Sequence, residues 1–76
     1  MPEDKALDRA RAIVAEVLSL EISLIESCSD IESVPDWTSI NHISIIHTIE
    51  AQIDRELVVE EIIQATNILG IAQILR

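Results

Sequence analysis

Isoleucine is the commonest residue of this chain, and where it falls decides the fold. Fifteen isoleucines, seven leucines and five valines stand beside one tryptophan, with neither Phe nor Tyr. Any core is therefore aliphatic. β-Branched side chains favour sheets, so periodicity is the first test. In the run ISIIHTIEAQI, strict alternation would gather Asn41, Ile43, Ile45, His47 and Ile49 on one face, mixing polar with apolar. A 3–4 spacing instead collects Ile40, Ile43, Ile46, Ile49, Glu50 and Ile53, with Ile45 slightly to one side. The helical period wins.

The same spacing recurs elsewhere. Leu7, Ala10, Ile13, Val14, Val17 and Leu18 predict a helix over 3–18, with Glu3 and Asp4 in its first turn, where negative charge suits the dipole. A second helix is predicted from Ser39 to Ile53. After a break at Asp54–Leu57 comes a short helix near Val59–Ala65. Thr66 or Asn67 then caps a last helix carrying Ile68, Ile71, Ile74 and Leu75. Gly70 inside it costs about 1 kcal/mol relative to Ala, which suggests a close helix contact there. The connection from Ser19 to Asp36 is long and rich in Ser, Asp and Glu. Its scattered Leu20, Ile22, Leu24, Ile25, Ile31 and Val34 predict a loop packed down onto the bundle, with a short helical turn. The expected fold is all-α: a small four-helix bundle, three helices longer and one short, with a long first loop and one domain over 1–76.

A chain of 76 residues sits near the lower size limit for folding without a staple. Cys28 is the only cysteine, so no internal disulfide helps, and no Cys/His cluster suggests zinc. A cytoplasmic, reducing setting is expected. Fully burying one aliphatic side chain contributes roughly 1.5–3 kcal/mol, so about a dozen can support such a bundle. No apolar run approaches the roughly 18 residues of a membrane span, and the acidic, amphipathic start resembles neither a signal nor a transit peptide. A net charge of −9 repels nucleic acid and makes basic protein surfaces the natural partners.

The chemistry then rests on PDWTSINH, residues 35–42. Ser39 there is a helix cap, a nucleophile or an attachment point. No catalytic set accompanies it. His42 and His47 are five apart, about 140° around a helix, and are expected to face solvent without holding a metal. Cys28 has no base near it in sequence and reads as a packed thiol. Trp37 is expected to pack over the loop.

The order of elements, with a helix that opens on a serine after a long loop, resembles the acyl carrier proteins. In that family the serine stands in Asp-Ser-Leu, often as Trp-Asp-Ser-Leu with a His close behind. The corresponding residues here are Trp37, Thr38, Ser39 and Ile40, with His42 following. IEAQIDRELVVEEI and TNILGIAQIL resemble the family's later segments, so the likeness covers nearly the whole chain. The resemblance implies that Ser39 receives 4′-phosphopantetheine from coenzyme A, put there by a phosphopantetheinyl transferase. Trp37, Thr38 and Ile40 flank the attachment. The arm would carry acyl groups as thioesters in a specialised fatty-acid or polyketide-like pathway, and the protein would be a monomer and no enzyme itself. It further implies that Glu50, Asp54, Glu56, Glu60 and Glu61 dock on basic patches of acyl-processing enzymes. Alternatives are an aminoacyl or peptidyl carrier, or an unmodified helical interaction module.

Overall fold

A computed structural model describes residues 2–76, with side chains from Lys5 onward. The expected placement of Glu3 and Asp4 lies outside the described side chains. Four helices follow one another: α1, Pro2–Leu18; α2, Ser39–Ile53; α3, Val59–Gln64; and α4, Ile68–Leu75. A single 3-10 turn, Ile22–Leu24, sits in the long connection. The all-α bundle of three longer helices and one short one is the architecture found.

Each helix stops for a local reason. Ser19 ends α1 in the left-handed region (φ 58°). The N–H of Leu20 then reaches back to the Ala15 carbonyl at 2.9 Å, closing the last turn. Asp54 does the same for α2, again at φ 58°, and Asp is among the residues that tolerate this conformation. Of the two cap candidates for α4, Asn67 is the cap: its Oδ1 accepts the Gly70 N–H at 2.7 Å. Thr66 finishes α3 instead, donating from Oγ1 to the Ile63 carbonyl at 2.9 Å.

α1 packs against α2 and, more extensively, α4. Ala6, Ala10, Ile13, Val14 and Leu18 of α1 meet Ile45, Ile46 and Ile49 of α2 and Ile68, Ile71, Ala72 and Leu75 of α4 in one core. Gly70 is buried where α4 passes the end of α3. A Cβ there would lie 1.8 Å from the Gln64 carbonyl oxygen, so the close approach expected at Gly70 excludes every side chain.

The long connection is fastened down. Ile25, Val34 and Trp37 are buried in the core. Arg11 of α1 donates from Nε to the Ile25 carbonyl at 2.6 Å and from Nη2 to the Ile22 carbonyl at 3.1 Å. Farther on, Ile31 N–H bonds the Thr66 carbonyl and Ile68 N–H bonds the Ser29 carbonyl, tying the loop to the start of α4. The radius of gyration is 11.0 Å, close to the roughly 11 Å of a compact domain this long. The loop therefore adds no extended excursion.

Four expectations are corrected, the first being that Ile22 and Leu24 pack down with the loop: both are exposed. The apolar face of α2 is Ile45, Ile46 and Ile49, with Ile53 half-buried, while Ile40 and Ile43 are 78% and 56% exposed. Successive residues turn by about 100°, so Ile40 lies nearly opposite Ile49, and the pattern through Ile40 and Ile43 drifts off the buried side. His42 does not face solvent: it stands three and four residues before Ile45 and Ile46, on their face, and is half-buried. Cys28 is exposed rather than packed.

Candidate functional site

The start of α2 is built from the residues on either side of Ser39. Thr38 is extended (φ −86°, ψ 171°) and caps the helix: its Oγ1 accepts the Asn41 N–H at 3.2 Å. Its carbonyl takes the His42 N–H at 2.8 Å. Asn41 in turn donates from Nδ2 to the Asp36 carbonyl at 2.8 Å, which fixes the chain just before the helix. Capping is therefore done by Thr38. Ser39 is the first residue inside the helix, exposed, and its hydroxyl takes part in none of the hydrogen bonds among the described residues.

The surroundings favour an anion. The first N–H groups of a helix have no intrahelical acceptor. Asn41 N–H goes to Thr38 and His42 N–H to the Thr38 carbonyl, while those of Ser39 and Ile40 have no acceptor among the described residues. No acidic residue stands in the first turn of α2, so the positive end of the dipole is not neutralised within the helix. A phosphate ester on Ser39 Oγ would meet both the open N–H groups and that field.

Trp37 and His42 support this turn from below. Trp37, expected to pack over the loop, is 2% exposed and part of the core. It donates from Nε1 to His42 Nδ1 at 3.1 Å, and His42 Nε2 lies 3.2 Å from the Ile62 carbonyl of α3. Both ring nitrogens are thus engaged, and His42 is not free to act as a base for Ser39. The solvent-facing position expected for His42 therefore does not hold. The missed signal was its position: 42, 45, 46 and 49 follow the i, i+3, i+4, i+7 pattern of a buried stripe.

The five acids divide into two groups. Glu50 turns inward, accepting the Leu57 N–H at 2.9 Å. Glu61 pairs with both Arg55 Nη atoms at 2.8 and 2.7 Å and accepts the Val58 N–H at 3.2 Å. The hydrogen bond from Arg55, then that from Val58, lowers the Glu61 carboxyl to about 2. These two acids hold the α2–α3 connection. Asp54, Glu56 and Glu60 are exposed and take part in no ion pair among the described residues.

Apolar surface accompanies them. Ile40 and Ile43 stand exposed on α2, and Val58, Val59 and Ile63 are exposed at and along α3. An open depression of about 380 Å³ lies elsewhere, lined by Leu7, Asp8, Arg11 and Ser27, and includes none of the residues around Ser39. No helix among the described residues is long and apolar enough to cross a membrane. No protein-family model matches the chain, and no curated protein matches it.

Proposed function

We propose that the chain is an acyl carrier protein, holding acyl groups as thioesters on a 4′-phosphopantetheine arm attached to Ser39 Oγ. One observation carries this reading. Thr38 caps α2, and Ser39, which a helix start would otherwise occupy as its cap, is left exposed with an unengaged hydroxyl. A serine with no structural task, beside open N–H groups, suits a phosphodiester. Neutral Thr38 replaces the Asp of the carriers that the sequence resembles, yet keeps an oxygen for the cap.

In this reading a phosphopantetheinyl transferase loads Ser39 in the cytoplasm, and the chemistry belongs to acyl-processing enzymes with basic docking patches. Their contact would fall on Asp54, Glu56 and Glu60, with Ile40, Ile43 and Val59 supplying apolar area. Glu50 and Glu61 would contribute field more than direct contact. An aminoacyl or peptidyl cargo is served by the same attachment.

The exposed Ile40 and Ile43 favour a second reading, a helical interaction module that carries no arm. The intact mass of protein purified from its native host separates the two. An added mass equal to the arm, located on Ser39, supports the carrier. An unmodified chain supports the module.

A further inference from the structure

We infer that neutral His42 is a protonation-gated brace, joining Trp37 to the end of α3 and releasing Trp37 when the imidazole becomes imidazolium. The argument begins with donors and acceptors. The Trp37 indole N–H is a donor only, so His42 Nδ1, 3.1 Å away, must be the unprotonated nitrogen. The ring proton is then on Nε2, where it points to the Ile62 carbonyl at 3.2 Å, an acceptor only. A single tautomer satisfies both contacts.

That carbonyl needs a donor. It belongs to the last turn of a six-residue helix, and the Thr66 N–H goes to Ile63 instead, at 3.3 Å. His42 therefore completes α3 from α2, while its other nitrogen serves Trp37, the largest buried side chain of the loop. The two rings are 6.1 Å apart and tilted by 36°, so a hydrogen bond and not stacking joins them.

A second ring proton changes one side only. Nε2 stays a donor to Ile62, but Nδ1 becomes a donor facing the Trp37 N–H, and that bond is lost. No ion pair to His42 among the described residues offsets this. Residues 39–46 of α2 carry no acid or base besides His42 itself, and Glu50 farther along is held by Leu57. The loop brings Asp36, and α3 brings Glu60 and Glu61, the last engaged by Arg55. The ion pairs among the described residues, Arg11–Asp8 and Arg55–Glu61, do not include His42. The brace is independent of whether Ser39 is modified.

Trp37 is the sole tryptophan, so its emission and indole N–H resonance report the bond directly. Nitrogen-15 spectra of the wild-type protein at neutral pH should show His42 as the Nε2–H tautomer. On acidification from about pH 8 to 5, Trp37 emission should shift reversibly to longer wavelength, and its N–H should lose protection relative to the intrinsic exchange rate at each pH. His42→Asn keeps an acceptor near the Nδ1 position but cannot titrate, so its emission should stay flat over that range. His47→Asn, at an exposed site, should keep the transition. An Nδ1–H tautomer, flat wild-type emission, a transition that persists in His42→Asn, or one lost in His47→Asn overturns the inference. Should His42→Asn fail to fold, the wild-type tautomer and titration still decide it.

Discussion

Glu50 of α2 and Leu57 of the following connection are joined by a carboxylate bond: Glu50 Oε2 accepts the Leu57 N–H at 2.9 Å. Leu57 is buried in the core, so this acid fixes the point where the chain re-enters the bundle. Removing the acceptor leaves a part-buried N–H unpaired, which costs about 1–3 kcal/mol. Urea unfolding of Glu50→Ala should show that loss, and Glu50→Gln, which keeps an oxygen, should lose less. If Glu50→Ala unfolds at the wild-type midpoint, the bond contributes nothing. Charge reversals meant to probe docking belong at Glu56, which is exposed outside any helix, because Asp54 ends α2 in the left-handed region and Glu60 lies in the first turn of α3.

Glu61 gives a pH dependence whose sign follows from its lowered carboxyl. In the unfolded chain a Glu titrates near about 4.3, whereas Arg55 and Val58 hold the folded group down to about 2. A depressed folded value contributes stability that is full above the unfolded value and disappears as pH falls toward 2. The pair is partly exposed, 50% at Arg55 and 21% at Glu61, so salt weakens it. Comparing wild type with Glu61→Gln by urea unfolding should give a gap at pH 7 that narrows on acidification. The same gap at every pH would show that Arg55 does not hold the charge.

The face of α2 separates buried from exposed isoleucines. Ile45 and Ile49 are fully buried, whereas Ile43 is 56% exposed. Ile45→Ala or Ile49→Ala should cost about 2–5 kcal/mol, enough to unfold much of so small a domain. Ile43→Ala should stay within about 0.5 kcal/mol. Circular dichroism on heating checks both, and equal losses at Ile43 and Ile45 would move the face back.

Much of this architecture could be read from the sequence because helical spacing is a local signal. The bounds of α2, the break after it and the packed loop all follow from runs of aliphatics and their interruptions. The rotation of α2 was harder. With Ile at 40, 43, 45, 46, 49 and 53, two overlapping stripes fit the letters, and packing against α1 selects the one through Ile45. His42 was missed for the same reason, since its partners, Trp37 and the Ile62 carbonyl, are brought to it by tertiary structure. The inward turns of Glu50 and Glu61 were equally hidden, because a charge in sequence does not reveal a backbone N–H seven or three residues away. Ser39 was legible as the start of α2, but that Thr38 and not Ser39 caps it needed the geometry.

That choice leads to the most direct test. With Thr38 holding the cap, Ser39→Ala should fold as the wild type does, which circular dichroism can establish beforehand. Wild type, Ser39→Ala and Thr38→Asp are then incubated with coenzyme A and a broad-specificity phosphopantetheinyl transferase, and each is weighed intact and after digestion. The carrier reading expects the arm's mass on wild type and Thr38→Asp, located at Ser39, and none on Ser39→Ala. The arm on Thr38, on another serine or on no residue at all would contradict it.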